Sequence, residues 1–67
     1  MTPTKRVLLV EDDDDDAFLS TRALRKAMAP LNINYDLEHV RTGKAAVERL
    51  FDKDKLRQPI FDLVLLD

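Results

Sequence analysis

The chain has 67 residues with 13 acids, 11 bases and no cysteine, for a net charge of −2. Six acids are consecutive, Glu11, Asp12, Asp13, Asp14, Asp15 and Asp16, so the other 61 residues hold 7 acids against 11 bases and are net +4. The longest aliphatic runs, at 7–10 and 63–66, are four residues, against about 20 for a membrane-crossing helix; with no signal-peptide pattern and no disulfide framework, a cytoplasmic protein without a membrane partner is the default reading.

The first element is expected at 6–10. Val7, Leu8, Leu9 and Val10 form an unalternating apolar run between polar flanks, which suits a strand buried on both faces of a parallel sheet. From 14 to 28 the period changes, and Leu19, Ser20, Ala23, Leu24 and Ala27 fall on one stripe at helical spacing. Asp13 or Asp14 is the expected N-cap. The acids after it sit where the positive end of the helix dipole favours them, and Arg22, Arg25 and Lys26 come late, as the negative end prefers. Pro30 disfavours helical geometry at Ala29 and should stop the helix near there.

Residues 33–40 alternate, with Ile33, Tyr35, Leu37 and His39 against Asn34, Asp36 and Glu38. That is the pattern of an edge strand with one wet face. Thr42 and Gly43 end it and open a second helix, with Thr42 as cap and Ala46, Val47, Leu50 and Phe51 as the buried stripe. A charged loop at 52–58 precedes Pro59, and the last segment, 60–66, ends in the second apolar run before Asp67. The order is βαβαβ, which predicts an α/β fold: a parallel sheet with right-handed crossovers, in one unit spanning 1–67. A core of this size rarely supplies more than a few kcal/mol, so oligomerisation, a bound metal or a further portion of the domain is expected to assist it.

In an open parallel sheet, ligands bind beyond the carboxyl ends of the strands. Two of the expected strands end in acid there, the first in Glu11, Asp12 and Asp13 and the third in Asp67. Neighbouring strands would bring these carboxylates together. Their repulsion in a partly dehydrated site is relieved by a hard divalent cation, and Mg²⁺ is usually held by one or two carboxylates plus water and phosphate oxygens.

The segments VLLVEDD at 7–13, the helix that follows, the Thr42-Gly43 turn and FDLVLLD at 61–67 together resemble the receiver domain of two-component response regulators. The stretch VLLVEDDDDDAFLSTRALRKA looks most like stand-alone receivers of the phytochrome-associated kind. This resemblance implies a flavodoxin-like doubly wound sheet, of which the chain would supply three strands in the order 2-1-3 and two helices. It implies that Asp67 is the phosphoacceptor, taking a phosphoryl group from a phosphohistidine on a sensor histidine kinase or phosphotransfer protein. Asp12 would bind Mg²⁺ directly, Glu11 would act through a water or support the site, and Asp67 would complete the metal set. The metal neutralises charge on the phosphoryl oxygens, and a carboxylate is already a nucleophile at neutral pH, so no separate base is needed.

A receiver takes part in its own phosphorylation and is not a turnover enzyme. The family also has a Met-Pro segment and a metal-ligating carbonyl just after the phosphoacceptor, a Thr or Ser ending the fourth strand and a Lys ending the fifth. These have no counterpart in the sequence, and Lys44, Lys53 and Lys55 are not placed to substitute. The resemblance therefore implies a truncated receiver domain, weakly active or inactive as a phosphoacceptor.

Two other readings stay open. A metal-dependent phosphoryl-transfer or hydrolytic enzyme, haloacid-dehalogenase-like or Toprim-like, would use the same strand ends, although Toprim domains usually place Gly where Asp12 stands. A self-associating fragment without signalling activity would use the third strand, whose far edge is expected to be unpaired; such an edge invites another chain, and a homo-oligomer is expected. Plainer roles stand beside the sharp ones. Asp14, Asp15 and Asp16 would cap and decorate a helix, His39 would be an edge-strand residue with no partner in sequence, and Phe18 would pack on the flank of the core. Arg22, Arg25 and Lys26 are few and lack interleaved aromatics, so no nucleic-acid partner is expected.

Overall fold

The computed structural model describes residues 4–51 and 61–66. In chain order these form strand β1 (Lys5–Val10), helix α1 (Asp14–Met28), a single 3-10 turn (Ala29–Leu31), strand β2 (Tyr35–Val40), helix α2 (Gly43–Leu50) and strand β3 (Leu63–Leu66). The strands make one parallel sheet in the order β2-β1-β3, the α/β arrangement expected from the βαβαβ pattern. β1 takes the centre because its apolar run tolerates cover on both faces: Val7, Leu8 and Leu9 are at most 1% exposed. Leu8 and Val10 pack with Ala46 of α2, and Val40, Leu50 and Phe61 close around them. Val7 and Leu9, alternating along the strand, point to the opposite face.

Local chemistry fixes where each element starts and stops. The Asp13 carboxylate caps α1 by accepting the N–H groups of Asp15 at 2.8 Å and Asp16 at 3.1 Å. Pro30 has no N–H to continue the α-helical ladder, and the chain tightens into the 3-10 turn. Asn32 ends that turn in the left-handed region at φ 56°, donating its N–H to the Ala29 carbonyl at 3.1 Å; asparagine is among the few side chains that adopt this conformation readily. Asp62 fastens the beginning of β3 to β1, since its carboxylate accepts the Arg6 N–H and its own N–H donates to the Arg6 carbonyl, both at 2.8 Å.

Several faces differ from the sequence expectation. On α1 the inward side carries buried Ala17 with half-buried Ser20, Thr21, Leu24 and Met28, while Leu19 and Phe18 are exposed. Phe18 therefore does not pack on the core flank. The Thr21 hydroxyl donates to the Ala17 carbonyl at 2.8 Å, so a polar residue can face inward with its hydrogen bond satisfied. On α2, Ala46 and Leu50 point inward as expected, but Val47 and Phe51 are 54% and 73% exposed. Arg49 takes that side instead, because its guanidinium reaches Glu38 of β2.

Glu38 overturns the expected wet face of β2. It lies opposite Leu8 in the β1–β2 register, on the face that α2 covers, whereas His39, grouped by alternation with the apolar residues, is exposed. β2 begins at Tyr35 rather than 33. The apolar run of β3 is not buried on both faces either, with Leu63 and Val64 partly exposed and Leu66 at 78%. An apolar run permits burial, but covering elements have to supply it, and among the described residues β3 has a strand on one side only. The charged loop at 52–58, Pro59, Ile60 and Asp67 lie outside the described residues. No helix among the described residues is long and apolar enough to cross a membrane.

Candidate functional site

Parallel strands in this register finish level. Val10 is paired with Val40 on one side and Leu66 on the other, so all three carboxyl ends reach one rim of the sheet. β1 delivers Glu11 and Asp12 there. The Glu11 N–H donates to the Val40 carbonyl at 3.0 Å, which carries the β1–β2 ladder one residue past the strand and gives the acidic turn a fixed start. Glu11 is only 5% exposed, and its Oε2 accepts the Asp12 N–H at 3.0 Å. A hydrogen bond of this kind offsets part of the cost of removing a carboxylate from water. Asp12 is exposed.

The end of β2 meets the same turn. The His39 ring donates from Nε2 to the Glu11 carbonyl at 2.7 Å. Arg41 donates from Nη2 to the Asp12 carbonyl at 2.9 Å and from Nη1 to the Asp14 carboxylate. Thr42 caps α2, its hydroxyl oxygen accepting the Ala45 N–H at 3.0 Å. Val10, Glu11, Asp12, Arg41, Thr42 and Gly43 line an open cavity of about 370 Å³. Two carboxylates, a guanidinium and the first turn of a helix thus share one recess at the strand ends.

Of the expected site residues, Glu11 and Asp12 stand together on this rim, and Asp67 lies outside the described residues. Among the described residues no three His, Cys, Asp or Glu side chains are grouped as a metal site. The donor chemistry still suits Mg²⁺. The adjacent carboxylates, Glu11 buried and Asp12 open to solvent, match an ion that takes one or two carboxylates and keeps several waters, and the chain has no thiolate to favour a softer metal.

Arg41 escaped the sequence reading, and His39 was read there as an edge-strand residue without a role at the rim. The signal for them is that β2 is parallel to β1, so the residues ending β2 must reach the same rim; alternation describes which face of a strand a side chain takes and says nothing of its end. No family model, curated protein or solved structure matches the chain.

Proposed function

We propose that the chain is a phosphoacceptor receiver domain of a two-component signalling system, taking a phosphoryl group from a histidine kinase or phosphotransfer protein onto Asp67 with Mg²⁺. The observation that carries the reading is the level finish of β1 and β3: Val10 and Leu66 are paired, and the residues that follow them in sequence are Glu11 and Asp67. In this reading Asp12 is the direct metal ligand and Glu11 supports it. When bound, Mg²⁺ would supply charge neutralisation at the phosphoryl oxygens; a carboxylate oxygen of Asp67 would attack phosphorus as the phosphorus–nitrogen bond to the donor imidazole breaks, the imidazole leaving with the bonding pair. A cytoplasmic setting goes with this role and is compatible with the absence of cysteine.

The test is incubation with acetyl phosphate and Mg²⁺, read by intact mass, on the parent chain and on Asp67→Asn. A low-yield adduct that requires both Asp67 and Mg²⁺ is expected. An adduct that survives Asp67→Asn, or one that forms equally without Mg²⁺, refutes the reading.

Self-association through β3 is a second proposal. It is favoured by the exposure of Leu63, Val64 and Leu66 on a strand at the sheet edge, since an apolar edge with free backbone groups recruits another strand. Sedimentation at micromolar concentration should show a dimer or larger species that Val64→Lys shifts toward monomer. A strictly monomeric, cooperatively folded parent chain would refute it.

A further inference from the structure

We propose that His39 and Arg41 are positioning residues that set the Glu11 and Asp12 carboxylates for a divalent cation; the proposal rests on the metal-binding part of the reading above. His39 lies in the last residues of β2 and Arg41 directly follows the strand, and between them they hold successive peptide groups of the acidic turn. The Glu11 carbonyl accepts from His39 Nε2 at 2.7 Å, and the Asp12 carbonyl accepts from Arg41 Nη2 at 2.9 Å. The bond from Glu11 N–H to the Val40 carbonyl would form with any residue other than proline at position 11, because it belongs to the strand ladder. The other two require a donor side chain at positions 39 and 41.

A carboxylate on a short side chain goes where its backbone sends it. Fixing the carbonyls of Glu11 and Asp12 fixes the peptide planes on the carboxyl side of both residues, and so the directions in which their side chains leave. Arg41 extends the hold, because its second nitrogen reaches the Asp14 carboxylate in the first turn of α1. One guanidinium therefore ties the turn to the helix that follows it. Groups that orient metal ligands from outside the coordination sphere commonly govern affinity nearly as strongly as the ligands do.

The plainer role for Arg41 is a counter-charge for the acidic run, and the two roles predict opposite signs. Removing a positive charge from beside a cation site tightens cation binding if charge is all that matters. Removing a positioning group weakens it. Arg41→Lys keeps the charge and loses the planar fork that serves two oxygens at once, so it separates the two effects a second time.

Mn²⁺ serves as the probe, titrated by water-proton relaxation into the full chain and into Arg41→Met, Arg41→Lys, His39→Leu and His39→Gln. Arg22→Gln, an exposed position on α1, controls for loss of one positive charge. Far-UV circular dichroism reports folding, and amide exchange of residues 11–13 without metal reports the turn itself. Arg41→Met and His39→Leu are expected to weaken Mn²⁺ binding by roughly tenfold and to speed exchange in the turn but not in α2. His39→Gln, which retains a donor, should recover most of the affinity. Arg41→Lys should stay weak, and Arg22→Gln should bind as the parent chain does.

Equal or tighter binding by a folded Arg41→Met overturns the proposal while leaving the cation site standing. If Arg41→Met or His39→Leu loses its fold, Arg41→Lys decides, and parental affinity in that variant overturns the proposal. Absence of Mn²⁺ binding by the parent chain overturns both the metal reading and the positioning built on it.

Discussion

The Glu38–Arg49 pair shows how α2 is fastened to the sheet, and its strength can be worked from its geometry. Glu38 projects from β2 opposite Leu8, and Arg49 in the last turn of α2 meets it with two parallel bonds, Nη2 to Oε1 at 2.7 Å and Nε to Oε2. The side chains keep 29% exposure at Arg49 and 36% at Glu38. A fully exposed pair contributes about 0–1 kcal/mol, and breaking a buried one costs about 3–5 kcal/mol. Two-thirds burial with bidentate geometry places Arg49→Met between these, at about 1.5–2.5 kcal/mol. At about 4–8 °C per kcal/mol for a domain of this length, Tm should fall by about 6–20 °C.

Glu38→Leu should cost less than Arg49→Met, because a released arginine can carry its head group to water along a flexible stem, whereas a released Glu38 stays beneath the helix on a short one. The double variant Glu38→Leu/Arg49→Met replaces the pair with apolar contact and should return to within about 1 kcal/mol of the parent chain. Thermal and urea melts of all four proteins close the cycle. A coupling energy below about 0.5 kcal/mol would show that the pair behaves as a solvated surface pair, and the placement of Glu38 under α2 would then be wrong.

Three further outcomes are expected. Leu8→Ala should cost about 2–5 kcal/mol, against a total stability of about 3–10 kcal/mol for a chain of this length, and should abolish a cooperative melt; a melting temperature within a few degrees of the parent would refute its place at the centre of the core. Asp13→Ala should lose about 1 kcal/mol with the α1 cap, while Asp13→Asn, which keeps an accepting oxygen, should retain most of it; equal losses in urea melts would show that the cap is not what Asp13 contributes. Millimolar Mg²⁺ should raise the melting temperature, since a ligand that binds only the folded state stabilises it, and Asp12→Asn should remove the response. An unchanged Tm across that range in the parent chain would count against the cation site.

Much of the architecture was legible because it depends on local rules. An unalternating apolar run marks a central strand, and Val7 through Val10 obey it. Asp13 and Thr42 cap helices because a short side-chain oxygen can reach N–H groups two or three residues on, wherever the rest of the protein lies. Pro30 ends α1 for an equally local reason, the N–H it lacks. The two crossovers make the strands parallel, which puts Glu11 and Asp12 at a sheet rim, while the order 2-1-3 was implied by the resemblance to receiver domains.

The faces were decided elsewhere. Periodicity gave α1 and α2 their apolar stripes, yet Leu19, Val47 and Phe51 are exposed while Thr21, Arg49 and Glu38 turn inward. Sequence spacing fixes the angle between side chains around a helix, and the docking of that helix on the sheet fixes which side meets the core. A polar residue can win that position when its hydrogen bonds are met there, as the Glu38–Arg49 pair and the Thr21 hydroxyl illustrate. The same distinction holds at the rim: sequence alone placed the acids after β1, and the parallel register of β2 brought His39 and Arg41 across 28 and 29 residues of chain to grip the carbonyls of Glu11 and Asp12.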